Sequence, residues 1–401
     1  MSVSTLPFTL SHPIAADFHR RVHALLGLPM DAVTLAATQE HIYTAAAARR
    51  PCFLSTPNLN FAVACLDDGE FRNSIIHSDL SIADGMPLVW VARLFGVPIN
   101  ERVTGSGLFE RLQQQLERKL SLYLFGGPDG VAAAAADRIN AARSGLRCVG
   151  CRSPGFGSVD ELSTDAVIDD INGSGADFLV VALGAKKGQA WIERNRSRLR
   201  VPVVSHLGAV VNFAAGSVRR APRWMQHSGL EWLWRIKEEP MLWRRYLRDG
   251  AMLLRLFLTR VIPGALYQRL RAPCQAALAN AWVSSCLDNA RRRCIRPHGA
   301  WCGANLTPMR RSFERAARQR IDVDIDLSDV PYVDSAFIGL LMLLYGHQSQ
   351  CRLGFVVRGA SPVLRRIFKC HCAEYLLQTD GAGSGAEEEA AQWREPMAAI
   401  S

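Results

Sequence analysis

Asp177-Phe-Leu-Val-Val-Ala-Leu-Gly184 is a short, unbroken apolar run between an aspartate and a glycine. A run of that length without polar alternation reads as a strand buried on both faces. A helical pattern comes next, around Trp191. Upstream, Ser121-Leu-Tyr-Leu-Phe-Gly126 repeats the strand, Gly127-Pro-Asp-Gly130 turns, and an alanine-rich helix covers residues 131–142. Downstream, Val201-Pro-Val-Val-Ser205 is a further strand. Cys52-Phe-Leu-Ser-Thr-Pro-Asn58 and Leu80-Ser-Ile-Ala-Asp84 add two more, with a helix over residues 60–71 between them. Strands alternating with helices predict a Rossmann-like α/β domain, a parallel sheet covered on both faces.

The 401 residues suffice for two domains, and 49% hydrophobic against 21% charged residues excludes global disorder. Residues 1–50 read as a helical leader and residues 51–218 as the α/β domain. Residues 219–272 form a basic, aromatic appendage. Alternation returns over residues 280–380, with the period-2 strand Ile321-Asp-Val-Asp-Ile-Asp-Leu327, predicting a second, small α/β domain. The Gly/Ala/Glu-rich residues 381–401 read as a disordered tail.

Eleven irregularly spaced cysteines argue for a reducing compartment rather than a disulfide framework. The N-terminus lacks a basic region followed by an apolar one, so no signal peptide is expected. No uninterrupted apolar stretch reaches the ~18 residues of a transmembrane helix, so none is expected. These features predict a cytoplasmic protein, peripheral on the inner face of the membrane. Cys148-Val-Gly-Cys151 has no matching second pair and Cys370-His-Cys372 is too tightly spaced, so no metal is expected.

The formal charge of +10 is concentrated: residues 219–271 hold twelve Lys and Arg against four Asp and Glu. On a helix at about 100° per residue, Arg244, Arg248 and Arg255 share one stripe. Trp243, Leu247, Leu254, Phe257, Leu258 and Val261 share another. That pairing suits a helix lying in an anionic membrane interface, or one packing its apolar stripe on the domain core. No nucleic-acid-binding signature accompanies the charge.

In open parallel sheets ligands sit at the carboxyl ends of the strands. Those ends carry Thr56-Pro-Asn58, Asp84-Gly85, Gly126-Gly127, Gly184 and Gly208. Asp84, between an apolar strand and Gly-Met-Pro, is either a general base projecting from a strand end or a cap on the next helix. Gly126-Gly-Pro-Asp-Gly130 either seats a diphosphate or is a plain tight turn. Arg102 either neutralises phosphate or pairs with Glu101. No G-x-G-x-x-G with a later acidic residue is present, which argues against a nicotinamide oxidoreductase.

Over about residues 50–245, these blocks in this order resemble the WecG/TagA/CpsF glycosyltransferase family. The resemblance rests on Thr56-Pro-Asn58, Ala83-Asp84-Gly85, Glu101-Arg102-Val-Thr-Gly105, Leu124-Phe-Gly-Gly127, Leu183-Gly-Ala185 with Trp191, Gly208-Ala209, Arg220-Ala-Pro222 and Gly229-Leu-Glu-Trp-Leu-Trp-Arg235. It implies an inverting transferase without a bound metal or cofactor. A sugar would pass from a UDP-sugar to a polyprenyl-diphosphate-linked saccharide, for exopolysaccharide or another cell-surface polysaccharide. It implies Asp84 as base, Thr56 and Asn58 in the pocket, and Arg220, Arg235, Arg244, Arg245 and Arg248 on the lipid diphosphate. Two positions depart from the family pattern. The family glutamine falls on Gly188, leaving a pocket amide missing or moved to Gln189, and Asn212 stands where an aspartate is usual. A catalytically degenerate membrane scaffold is the alternative these departures raise.

Residues 280–380 resemble a STAS domain, best at Ile325-Asp-Leu-Ser-Asp-Val-Pro-Tyr-Val-Asp334-Ser335. That resemblance implies a protein partner and makes Ser335 a candidate phosphosite at a helix N-terminus. Asp334 alternatively serves as the cap of that helix.

Overall fold

The computed structural model describes residues 16–218, 221–222, 224–225, 229–288 and 292–377. The first sheet is built from β3 (Cys52–Ser55), β4 (Leu80–Ser81), β5 (Leu120–Gly126), β6 (Leu146–Arg152), β7 (Phe178–Ala182) and β8 (Val203–His206). Their order is β4-β3-β8-β7-β5-β6, and every pair is parallel. The apolar run between Asp177 and Gly184 is β7, buried beside β5 and β8. After β4 the chain crosses β3, β8 and β7 to reach β5. This reversal of strand order puts the crevice at the carboxyl ends of β3, β8 and β7.

Helices α1 (Leu35–Ala47), α2 (Leu59–Asp67), α3 (Gly69–Ile76), α4 (Met86–Leu94) and α5 (Gly105–Gln114) succeed one another around the first strands. Then come α6 (Val131–Ala141), α7 (Asp165–Gly173), α8 (Ala185–Asn195) and α9 (Gly208–Ala215). Trp191 on α8 is fully buried, its ring tilted against Phe125 at 4.6 Å and its indole N–H donating to the Leu162 carbonyl at 2.8 Å.

The second domain has β9 (Trp282–Leu287), β10 (Arg293–His298), β11 (Val323–Asp326) and β12 (Phe355–Arg358) in the order β12-β11-β10-β9. β9 is antiparallel to β10 and the other pairs are parallel. Between the domains run α10 (Glu231–Glu238), α11 (Trp243–Leu256), α12 (Ile262–Leu270) and the short α13 (Gln275–Ala279). The second domain adds α14 (Thr307–Gln319), α15 (Ser335–Gln350) and α16 (Pro362–Cys370).

The leader differs from its expected helical form. Before α1 it forms an antiparallel hairpin of β1 (Val22–Leu25) and β2 (Leu28–Asp31). Leu26 and Gly27 make the two-residue turn with φ of 49° and 83°, the left-handed conformation such hairpins need. Both strands are buried almost throughout. Val22 and Ala24 join the core of the second domain, whereas Leu25, Leu28 and Met30 join the core under α2 and α4. A hairpin covered on both sides has no polar face, so the alternation that signals a strand is absent from its sequence.

This hairpin joins the two domains. The Gly27 N–H donates to the His371 carbonyl at 2.7 Å, and His371 Nδ1 lies 3.0 Å from the Ala24 carbonyl. A side chain at Gly339 on α15 would come within 2.7 Å of the Val22 carbonyl oxygen, so glycine permits the close approach. At the far end of α15, Ser349 Oγ lies 2.7 Å from His77 Nε2. The two cysteines flanking His371 are buried and free, and no group of three metal-ligating side chains occurs among the described residues.

Helical structure runs on from Pro240 to Leu270, long and apolar enough by composition to cross a membrane. The expectation of no such helix rested on an uninterrupted apolar run, which Arg244, Arg255 and Arg260 break. The expected stripe also divides. Trp243, Leu247, Leu254 and Leu258 are exposed, but Val261 is buried and Phe257 packs against the core. Residues Phe257–Val261 form a π-helical turn, and the extra residue in that turn rotates the beginning of α12 toward the protein.

Candidate active site

Asp84 lies just beyond β4, and its N–H donates to the Pro57 carbonyl at 2.8 Å, joining the ends of β3 and β4. It does not cap the next helix: the cap of α4 is Gly85, with no side-chain hydrogen bond. Instead Asp84 Oδ2 accepts the N–H of Gly105, the first residue of α5, at 3.2 Å. Gly105 has no room for a side chain, since a Cβ there would stand 2.5 Å from Leu207 Cδ2 and 3.6 Å from Thr56 Cγ2. Thr56, Asp84, the head of α5 and the end of β8 therefore converge.

Burial pushes the Asp84 carboxyl up to about 6, opposed by the Gly105 N–H and the Arg102 charge and reinforced by Glu231. The folded chain thus holds this proton more tightly than the unfolded one. Between about pH 4 and 6 stability falls as pH rises, because ionisation then costs more in the fold. Asp84→Asn is accordingly expected to melt above wild type at pH 8 and level with it near pH 3.5, read by calorimetry.

Arg102 does not pair with Glu101, which accepts the Leu35 N–H instead. It donates to Glu231 at 2.9 Å, both side chains being largely buried. Glu231 opens α10 and is a site residue that sequence reasoning passed over; its partner lies 129 positions away. Asn58 caps α2 by accepting the Phe61 N–H at 3.2 Å, and its Cβ lies 3.9 Å from where a Cβ on Gly85 would stand.

Gly126 and Gly127 both have positive φ, and a side chain on Gly126 would strike the Ala182 carbonyl at 2.5 Å. The pair is a tight turn pinned to the end of β7 by the Gly127 N–H on that carbonyl at 2.9 Å. Gly184 and Gly208 stand at the heads of α8 and α9, neither of which has a side-chain cap. Gln189, expected to supply a pocket amide, turns toward the sheet. It is fully buried and hydrogen-bonded to Ser55 Oγ at 3.2 Å. One position along a helix turns the side chain by about 100°, so Gly188 faces His206 at the end of β8 and Gln189 faces Ser55 on β3.

Arg235 lies over the Phe213 ring at 5.7 Å and helps hold the Asp84 charge. Arg244 sits over Trp243 at 5.5 Å and Arg245 over Tyr246 at 5.2 Å. Arg248 is well exposed beside Asp249, at 3.7 Å. Arg220 lies outside the described residues, as does the tail from 381. Ser335 begins α15 and Asp334 is its cap, accepting the Ala336 and Phe337 N–H groups. Ser335 itself is buried, its Oγ 3.1 Å from His23 Nδ1 on the hairpin. The hairpin thus covers the hydroxyl that the resemblance made a candidate phosphosite.

The model of the glycosyl transferase WecG/TagA/CpsF family matches residues 23–265. The chain belongs to this family. The match takes in β1 and β2 from His23 onward, and the chain is an α/β glycosyltransferase. A STAS-domain model matches residues 294–371, the second domain. Two similar proteins, from Bacillus spizizenii and Bacillus subtilis, are each an N-acetylglucosaminyldiphosphoundecaprenol N-acetyl-beta-D-mannosaminyltransferase. The first is 27% identical over 196 residues, 49% of this chain and 74% of the relative. The second is 27% identical over 195 residues, 48% of this chain and 74% of the relative.

Proposed function

We propose that this transferase moves a sugar from a UDP-sugar to a polyprenyl-diphosphate-linked saccharide, with inversion, at the inner face of the cytoplasmic membrane. The observation that carries the reading is the Asp84 carboxylate held at the head of α5 beside the Arg102–Glu231 pair. The acceptor hydroxyl oxygen attacks the anomeric carbon, Asp84 takes the hydroxyl proton, and the bond to the diphosphate breaks with its electron pair leaving on UDP. A carboxyl near 6 is a stronger base than an ordinary aspartate while remaining ionised at neutral pH. Arg102 and Arg235 supply positive charge near the reacting centre without a bound metal. The relatives' acceptor is a lipid-linked N-acetylglucosamine, which supports the acceptor class. Turnover with a synthetic polyprenyl-diphosphate glycolipid and a panel of UDP-sugars tests it.

The same reading lays α11 and α12 along the membrane surface rather than across it. Leu256, Val261 and Ala265 are packed on the protein, and Asp249 is buried on Asn60 at 3.0 Å, so one side of the run is occupied. The opposite side exposes Trp243, Leu247, Leu254, Leu258, Leu266 and Leu270. Arginines beside an apolar stripe suit anionic lipid. At about 1 kcal/mol per basic residue, reversing Arg244, Arg245 and Arg248 to Glu together is expected to weaken binding to phosphatidylglycerol vesicles by at least about 100-fold. Co-sedimentation reads this, and unchanged binding would remove these arginines from the membrane face. We assign the STAS domain a docking role toward a protein partner.

A further inference from the structure

His206 is the last residue of β8, with 8% of its surface exposed. Its Nε2 has no hydrogen-bond partner among the described residues. Buried polar atoms are rarely left so, because an unmade hydrogen bond in a dry site costs about 1–3 kcal/mol. The ring occupies the space beside Gly188. A Cβ on Gly188 would lie 2.2 Å from His206 Cδ2 and 3.0 Å from Nε2. The imidazole can stand there only because residue 188 has no side chain.

The same nitrogen points at the head of α9. A Cβ on Gly208 would be 3.4 Å from Nε2. Helix α9 runs eight residues from Gly208 to Ala215, with no side-chain cap and no acidic residue in its first turn. The unpartnered nitrogen therefore lies beside the first turn of α9, which carries unpaired opening N–H groups and the positive end of the helix dipole. An anion between them satisfies both, and the cleft holding Asp84 lies next to this corner through Leu207 and Gly105.

We propose that His206 is a donor-binding residue, donating from Nε2 to a diphosphate oxygen of the nucleotide seated at the head of α9. The inference rests on the reading of this domain as UDP-sugar dependent, and names the residue that would hold the donor's diphosphate. Burial holds the His206 ring down to about 4, so it is neutral at pH 7 and carries one N–H to give. The bond it makes to phosphate is charge-assisted through the anion alone.

Titration calorimetry with UDP and with uridine, on wild type, His206→Ala, His206→Gln, Gly188→Ala and the double alanine variant, tests the proposal. His206→Ala is expected to weaken UDP about tenfold or more, the loss of one hydrogen bond to a charged group. Uridine affinity should stay as in wild type. His206→Gln, which keeps an amide donor and guards against a mere folding defect, should recover most of the loss. Gly188→Ala should weaken UDP by displacing the ring, yet add nothing on the His206→Ala background, because both act through one contact. UDP binding unchanged in His206→Ala overturns the inference while leaving the donor reading intact. Equal losses for UDP and uridine would put the ring on the nucleoside and overturn the diphosphate assignment. No UDP binding by wild type overturns both.

Discussion

Asp84→Asn is expected to lower UDP release by at least about 100-fold at saturating acceptor, the low end of what a positioned general base contributes. The substitution keeps size, and the amide oxygen still accepts the Gly105 N–H, so the contact at 3.2 Å survives. What is lost is the capacity to take a proton. Because Asp84 is costly to ionise where it sits, the variant should be at least as stable as wild type at pH 8. Stability gained and turnover lost in one protein separates a catalytic defect from misfolding. Turnover equal to wild type would remove Asp84 from the mechanism, and no turnover by wild type with any donor would favour the scaffold.

The largest stability loss is expected at a residue far from the chemistry. Arg20 grips Asp31 through two hydrogen bonds, at 3.1 and 2.6 Å, and donates a third to the Ser78 carbonyl at 2.8 Å. Asp31 is 3% exposed and also accepts the Ser81 N–H at 2.7 Å, so the pair ties β2 to the start of β4. Removing one partner of a buried pair strands the other charge, at a cost of about 3–5 kcal/mol. Arg20→Ala should therefore shift the urea midpoint strongly. The double variant Arg20→Ala/Asp31→Ala should be less damaged than the single one, because no buried carboxylate is left alone. A single variant as stable as wild type would mean that water reaches Asp31 in solution. Arg310 adds to the same corner by donating to the carbonyls of Phe18 and Arg20.

The parts of the fold that could be read in the sequence share a physical cause. Strands β5 and β7 are central in a parallel sheet, so they announce themselves as continuous apolar runs bounded by glycine. Asp84 stood out because a carboxylate directly after such a run stands at a strand's carboxyl end, where ligands bind in open parallel sheets. Glu231 did not, since nothing in a local pattern joins position 231 to Arg102. Gln189 turns toward Ser55 on β3, a direction that no motif comparison resolves without the phase of α8. Arg20 sits next to Arg21, and only the fold distinguishes the buried one from its neighbour. The π-helical turn at Phe257–Val261 has no signature of its own, so a regular wheel placed Val261 on the wrong side.

The hairpin at the front of the chain carries a consequence for how the protein is made. One of its faces is finished by α15, and His23 meets Ser335 across 312 positions. At a synthesis rate of about 5–20 residues per second, that separation corresponds to roughly 15–60 s. Throughout that interval the emerging transferase domain presents Val22 and Ala24 to the cytosol with nothing to cover them. Domain-by-domain maturation on the ribosome is therefore incomplete until the STAS sequence has left the exit tunnel. A chain ending before α15 would leave Val22 and Ala24 without the core they join.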